Sequence, residues 1–269
     1  MPDTSTLLSK SYIRVKSCRY GAMLYFEGDS FVGRSLELYG EFSLGEARMF
    51  EQLLKPGMTA LDIGANIGCH TVFMAGLVGT AGKIIAFEPQ RIVHQALCAN
   101  LALNAIGNTQ AIHAAAGESA SSLIVPNIDY EAGGNFGGLS LGEYMNGEPV
   151  EVRTIDSLNL KACHFIKIDA EGMENEAIAG AAETLKTCQP YLYVENDRRD
   201  RSPELIERLF SAGYRLYWHL PHLFNPDNFF KNDENVFEGL ISRNMLCVSK
   251  SRQTIIRDMP EITSPDIKF

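Results

Sequence analysis

The chain has 269 residues, of which 45 % are hydrophobic, so it can form one large α/β domain or two small ones with a buried core. Its 24 lysines and arginines stand against 33 aspartates and glutamates, and the net charge of −9 disfavours a nucleic acid as partner. No run of about 18 apolar residues occurs, which argues against a membrane-spanning helix and a membrane partner.

The cysteines and the N-terminus predict the cellular compartment. The six cysteines lie far apart, with no C-x-x-C pair and no histidine at zinc-site spacing, so we interpret them as buried thiols rather than disulfides or metal ligands. The first ten residues lack the basic flank and apolar run of a signal peptide. We therefore expect a soluble cytoplasmic protein and predict no metal ligands.

The predicted elements change character near residue 46. Residues 1–45 read as a small β-rich lead-in, because short apolar bursts are interrupted by glycines. A helix in 46–54 and then a regular strand–helix alternation follow. The predicted strands are 59–63, 83–87, 110–114, 165–168, 191–194, 215–218 and 245–248. The predicted helices between them are 67–78, 91–104, 171–185 and 203–212. This alternation predicts a Rossmann-like, mostly parallel sheet with helices on both faces and ligands at the carboxyl ends of its strands.

Two segments interrupt or follow this pattern. A Gly/Asn-rich insert at 117–157 is too long for an ordinary connection, and its aromatic content favours a substrate-facing cover over simple disorder. Residues 251–269 read as a C-terminal tail. The predicted organisation is therefore a lead-in at 1–45, one domain at 46–250 that contains the insert, and the tail.

The most informative motif is TALDIGANIG, where an apolar run ends at Asp62 and a turn with Gly64 and Gly68 leads into a helix. Glycine tolerates positive φ and lets a ligand approach the backbone, and a helix N-terminus offers free N–H groups. Glu88 ends the next predicted strand, 20 residues after Gly68. A carboxylate there can accept hydrogen bonds from both hydroxyls of a ribose. The two motifs together predict a nucleoside-containing cofactor.

Two classes of cofactor bind at such a strand–turn–helix arrangement, and the residue at position 66 helps to distinguish them. Dinucleotide-binding proteins carry G-x-G-x-x-G, whose middle glycine lets the backbone meet a pyrophosphate. Asn66 stands at that place here, where its side chain crowds a pyrophosphate but could bond an amino-acid carboxylate or cap the helix. The loop therefore favours S-adenosylmethionine, with an NAD-dependent oxidoreductase as the weaker alternative.

Three acids in the second half of the chain are candidates for the chemistry. Asp169 ends a buried strand in HFIKIDAEG, Glu171 follows it, and Glu195 closes the next strand in YLYVEND. A carboxylate at such a strand end can take a proton in a reaction, and Asp169 is the first choice. Glu171 could instead complement a helix dipole, and the acids together could hold a divalent cation.

Several motifs together resemble one family. DIGANIG, AFEP, TIDSL, IKIDAEGMENEAIAGA, PYLYVEND, LFNPDNFF and NMLCVSK look like the FkbM family of S-adenosylmethionine-dependent methyltransferases, over about residues 39–250. The resemblance implies a class I methyltransferase fold, with a seven-stranded sheet and a reversed last strand, and methyl transfer to a hydroxyl oxygen. Ala170 replaces the valine of the common family form IDVEG, which leaves the neighbouring acids in place.

Mapped onto this chain, the resemblance implies cofactor contacts from both motifs. The turn would line the methionine end, Glu88 would bind the ribose, and His70 and Thr71 could reach the cofactor carboxylate. The implied cofactor-binding residues are Asp62, Gly64, Ala65, Asn66, Gly68, His70, Thr71, Glu88, Pro89 and Asp169.

The acceptor is less determined than the cofactor. The loop WHLPHLFNPDNFF at 218–230 and NFGG at 135–138 are predicted to frame it, through Asn228 and Phe136, because aromatic and amide side chains suit a sugar or natural-product hydroxyl. N-methylation stays open, and so do a divalent metal and the oligomeric state. A non-catalytic protein that binds S-adenosylmethionine as a regulator is the principal alternative from another class.

Overall fold

A computed structural model describes residues 12–142 and 144–266, so residues 1–11, 143 and 267–269 lie outside the described part, including the N-terminus that we screened for a signal peptide. The strands are β1 (Ile13–Cys18), β2 (Gly21–Phe26), β3 (Thr59–Ile63), β4 (Lys83–Phe87), β5 (Thr109–Ile112), β6 (Ala115–Ala116), β7 (Ser121–Val125), β8 (Glu148–Arg153), β9 (Phe165–Ile168), β10 (Tyr191–Glu195), β11 (Tyr214–His219), β12 (Asn244–Ser249) and β13 (Glu261–Ile262). The helices are α1 (Val32–Tyr39), α2 (Leu44–Leu53), α3 (Cys69–Val78), α4 (Arg91–Leu103), α5 (Glu174–Ala179), α6 (Ala182–Cys188) and α7 (Ser202–Ser211), with a 3₁₀ turn at Ile155–Leu158. Within these residues no helix combines the length and apolar character needed to cross a bilayer.

Eight strands form the central sheet in the order β13-β11-β12-β10-β9-β3-β4-β5. The five strands β5, β4, β3, β9 and β10 are parallel to one another. Strand β12 runs antiparallel to both of its neighbours, β10 and β11. The predicted seven-stranded sheet with a reversed last strand is therefore confirmed. The short β13 adds an eighth strand at the edge, where it pairs antiparallel with β11. This strand belongs to the predicted tail, so part of the tail is built into the sheet.

Both faces of the sheet are buried, as the nearly continuous apolar strands predict. Alternate residues of β3 point to opposite faces. Leu61 and Ile63 belong to the core formed with α5, α6 and α7, whereas Ala60 belongs to the core formed with α2 and α3. Burying a leucine or isoleucine side chain fully contributes about 1.5–3 kcal/mol. The apolar contacts on both faces thus hold β3 and its neighbours in place, and their carboxyl ends form a fixed edge.

The lead-in is only partly β-structure. Strands β1 and β2 pair as an antiparallel hairpin, which agrees with the prediction, but the helix α1 that follows was not predicted. Asp29 lies just before this helix, and its carboxylate accepts hydrogen bonds from the N–H groups of Phe31 and Gly33 at 3.2 and 3.0 Å. The apolar spacing of Val32, Leu36 and Tyr39 is helical, but the glycines around these residues led us to predict turns instead.

The long helix predicted at 171–185 is two helices, which begin at Glu174 and Ala182, and another backbone segment comes close where they meet. A Cβ atom at Gly180, between α5 and α6, would lie 2.0 Å from the carbonyl oxygen of Gly117. The Asp156 carboxylate then accepts hydrogen bonds from the N–H groups of Glu183 and Thr184 in the first turn of α6. The insert is also more regular than predicted, because β7 and β8 pair within it.

Candidate active site

The carboxyl ends of β3, β4, β9 and β10 open into one cavity of about 580 Å³. The lead-in contributes Phe31 and Phe42 to its wall, the insert contributes Asn135 and Leu139, and residues 240–244 close another side. Most of the predicted site residues line this cavity together: Gly64, Ala65, Asn66, His70, Glu88, Pro89, Asp169, Glu171 and Glu195. Their roles in binding and catalysis stay predictions, but the topology brings them to one place.

The turn after β3 requires glycine for steric reasons. Gly64 has φ +76, and a Cβ atom there would lie 1.7 Å from the carbonyl oxygen of Asp169. The N–H groups of Gly64 and Ala65 both donate to the carbonyl oxygen of Phe87, and the N–H of Asp169 donates to Ile63. These contacts fasten the ends of β3, β4 and β9 to one another, so the turn is a rigid part of the cavity wall.

Glu88 is a buried carboxylate held by two backbone groups. Its oxygens accept hydrogen bonds from the N–H of Asn66 at 2.9 Å and the N–H of Gln90 at 2.8 Å. Burial raises the pKa of Glu88 to about 7, although these two hydrogen bonds act in the opposite direction. Each carboxylate oxygen keeps a second lone pair. Glu88 is therefore fixed at the cavity wall with acceptor capacity left for the hydroxyls of a ribose.

Replacing Glu88 by glutamine is expected to weaken binding of S-adenosylhomocysteine by about 10- to 100-fold, because charge-assisted hydrogen bonds to the ribose are lost. Ionisation of Glu88 should strengthen binding, so wild-type affinity should fall as the pH is lowered from about 8 to about 6. The Glu88→Gln protein should show a flatter profile. Isothermal titration calorimetry measures both effects, with the exposed Glu118→Gln as control. A parallel pH profile in the two proteins would contradict this role.

A buried lysine, which our reading of the sequence did not single out, connects the predicted acids. The Nζ atom of Lys167 lies 3.3 Å from an oxygen of Asp62 and 3.3 Å from an oxygen of Asp169, and it donates to the carbonyl oxygen of Gly64 at 3.0 Å. Burial by itself would lower the pKa of Lys167, but Asp62 and Asp169 outweigh it and raise the pKa. The lysine is therefore charged and links β3, its turn and β9.

Three of the predicted cofactor-binding residues lie behind the cavity wall rather than on it: Asp62, Gly68 and Thr71. Asp62 is 0 % exposed, and it accepts a hydrogen bond from the Thr71 hydroxyl at 2.6 Å besides its ion pair with Lys167. Gly68 begins α3 with φ +89, and a Cβ atom there would lie 2.5 Å from Leu97. The geometry gives these three residues a supporting role for the turn and for Lys167.

The three candidate catalytic acids lie together at the ends of β9 and β10. Asp169, Glu171 and Glu195 each offer an oxygen, and these oxygens lie within 4.8 Å of one another, a spacing that could also suit a cation. Burial and the neighbouring Asp169 raise the pKa of Glu171 to about 8 and also raise that of Glu195. Arg198 partly balances the group through its 3.0 Å ion pair with Glu171. This end of the cavity can therefore hold a proton on a carboxylate.

The predicted acceptor loop contributes less than expected. Of residues 218–230, only Leu223 lines the cavity. Asn228 is completely buried, and its amide group donates to the carbonyl oxygens of Asn225 and Asn232. Phe136 is buried among aromatic rings of the lead-in and insert, and its carbonyl oxygen accepts a hydrogen bond from the Gln90 amide. The predicted contacts of the Asn228 and Phe136 side chains with the acceptor are therefore wrong.

The fold and the cavity are those expected of a protein that binds a nucleoside-containing cofactor at the carboxyl edge of a mostly parallel sheet. A family model described as the methyltransferase FkbM domain matches residues 62–216, more than half of the chain. The chain belongs to the FkbM methyltransferase family. This membership decides between the two cofactor classes that the turn left open.

Solved structures with a similar fold include several methyltransferases. The FkbM methyltransferase from Methylobacillus flagellatus is 19 % identical with a TM-score of 0.48, and the match covers 74 % of this chain and 50 % of that one. Fibrillarin from Aeropyrum pernix, solved with natively bound S-adenosylmethionine, is 13 % identical with a TM-score of 0.44, covering 88 % and 94 %. An S-adenosylmethionine-dependent O-methyltransferase from Thermotoga maritima is 12 % identical with a TM-score of 0.45, covering 94 % and 83 %. This chain thus spans half the length of the FkbM structure, and these likenesses concern the fold alone.

Proposed function

We propose that the protein transfers the methyl group of S-adenosylmethionine to a hydroxyl oxygen of a small-molecule acceptor, such as a sugar or a natural-product alcohol. The observation that carries this proposal is the position of Asp169. Its carboxylate is held by Lys167, its side chain is 35 % exposed, and it lines the same cavity as Glu88. The acid that would receive a proton thus lies in the cavity that would hold the cofactor.

The residues fit the cofactor and divide the work of the reaction. Bound S-adenosylmethionine supplies an activated methyl group on a sulfonium. Glu88 and the Gly64 turn would hold the nucleoside, and such positioning can lower a barrier by up to about 7–11 kcal/mol. Asp169 would take the proton that the hydroxyl loses, a contribution of about 10²–10⁴-fold. Glu171 and Glu195 would keep that proton within a shared group of carboxylates.

The size and charge of the cavity support a small acceptor. A volume of about 580 Å³ lies in the range of small-molecule sites, about 300–1,000 Å³. Several acids line the wall near Asp169, including Glu46, Glu195 and Asp197. Carboxylates repel phosphate groups, so this wall disfavours an RNA backbone at the point of transfer.

The test is methyl transfer from labelled S-adenosylmethionine to three acceptor panels: sugars and other alcohols, amines, and RNA. We expect label only in the alcohol panel, as an ether, with and without a chelator to detect a need for a divalent cation. Label in an amine would show N-methylation, and label in RNA would overturn the acceptor class. Cofactor binding without transfer to any panel would favour the regulatory alternative.

A further inference from the structure

Glu46 is a buried carboxylate to which the proposed function gives no role in binding the cofactor or in the transfer. It lies in the first turn of α2 and lines the cavity, with 6 % of its surface exposed. The Asn244 amide donates to one of its oxygens at 3.3 Å, and Asn244 pairs with Glu195 in the sheet. Glu46 is thus oriented at the end of the cavity where β10 and β12 meet.

The imidazole of His70, which lies beside Glu46, cannot neutralise it. The Nδ1 atom of His70 lies 3.8 Å from a Glu46 oxygen. Burial and the charge of Lys167 lower the pKa of His70 to about 3, so the imidazole is neutral. Its Nε2 atom has no hydrogen-bond partner among the described residues, although His70 lines the cavity. Burial and Asp169 raise the pKa of Glu46, whereas the charge of Lys167 lowers it. The pair therefore presents a buried carboxyl group beside a polar atom that lacks a partner among the described residues.

Lys167 and Arg198, which also line the cavity, are paired with other acids. Lys167 forms ion pairs with Asp62 and Asp169, and Arg198 forms one with Glu171. In the part of the chain that the structure describes, Glu46 forms no ion pair with a lysine or arginine. A buried carboxylate without its own cation is costly. A cationic group of a ligand would offset that cost.

We propose that Glu46 binds the α-ammonium group of the cofactor's methionine portion, with His70 Nε2 as a second acceptor. The inference rests on the cofactor that the family uses and is independent of the acceptor. An imidazole that directs Nδ1–H toward Glu46 leaves Nε2 as an acceptor, and an ammonium group has three donors. The cofactor carboxylate, for which the sequence suggested His70, would be repelled by Glu46 at this place.

The test is binding of three ligands to purified protein by calorimetry: S-adenosylhomocysteine, its analogue without the α-amino group, and its analogue without the carboxylate. We expect the Glu46→Gln protein to bind S-adenosylhomocysteine more weakly than wild type, by about tenfold or more. It should bind the deaminated analogue with the same affinity as wild type. The loss on removing the carboxylate should be the same in both proteins. The exposed Glu51→Gln on the same helix is the matched control and should bind all three as wild type does.

Three results would overturn the proposal. One is unchanged affinity of Glu46→Gln for S-adenosylhomocysteine, and another is an equal loss for this ligand and its deaminated analogue. The third is that the wild type does not bind S-adenosylhomocysteine, which would also contradict the assignment of the cofactor. Glu46→Asp keeps the charge and should still distinguish the amino group, so it serves if Glu46→Gln does not fold. Because the test measures only binding, its result can be interpreted even if no acceptor in the three panels is methylated.

Discussion

Replacing Asp169 by asparagine is expected to lower methyl transfer by about 10²–10⁴-fold, because the amide cannot take the proton that the acceptor loses. Cofactor affinity should fall less than about tenfold. The backbone of Asp169 holds the turn through its N–H bond to Ile63 and its carbonyl beside Gly64, and asparagine keeps both contacts. The substitution therefore separates the chemical step from cofactor binding.

Single-turnover transfer from labelled cofactor and calorimetry with S-adenosylhomocysteine measure these two effects. Asp200→Asn makes the same change at an exposed position and is the control. Glu171→Gln and Glu195→Gln, made in parallel, should lower transfer less than Asp169→Asn does. A larger loss of methyl transfer in either variant would identify that residue as the proton acceptor. Near-normal transfer by Asp169→Asn would contradict the assignment of Asp169 to this role.

The parts of the site that follow from local sequence could be predicted. Strand ends are visible because apolar runs stop at an acid or a glycine, and this rule located Glu88 and Asp169. The need for Gly64 was also visible, since a turn at a strand end uses positive φ. These features depend on few neighbours along the chain, so the sequence pattern contains them.

The parts that depend on packing between distant segments could not be predicted. Lys167 lies between two isoleucines in β9. The sequence does not show that its charge would meet Asp62, which is 105 positions away in another strand. Glu46 reaches the cavity only because α2 packs beside α3. Asn228 looked like a ligand for a hydroxyl, but its amide satisfies the backbone of its own loop. Amide side chains serve both purposes, and only the fold decides between them.

Replacing Lys167 by methionine is expected to lower the free energy of unfolding by about 3–5 kcal/mol, the usual cost of removing one partner from a buried ion pair. Methionine fills a similar volume, so the loss comes mainly from charge. Asp62 is fully buried, and among the described residues it would keep its hydrogen bond from Thr71 but no ion pair. Urea unfolding measures the effect, and Lys161→Met at an exposed position is the control.

The double variant Lys167→Met/Asp62→Asn separates stability from positioning. Asparagine removes the unpaired buried charge, so the double variant should regain part of the lost stability. Asp169 would still lack the ammonium group that lies 3.3 Å from its carboxylate in the native protein, so methyl transfer should remain low. Recovery of both stability and transfer would mean that Lys167 only supports the fold. Recovery of stability alone would show that the lysine positions the carboxylate that takes the proton.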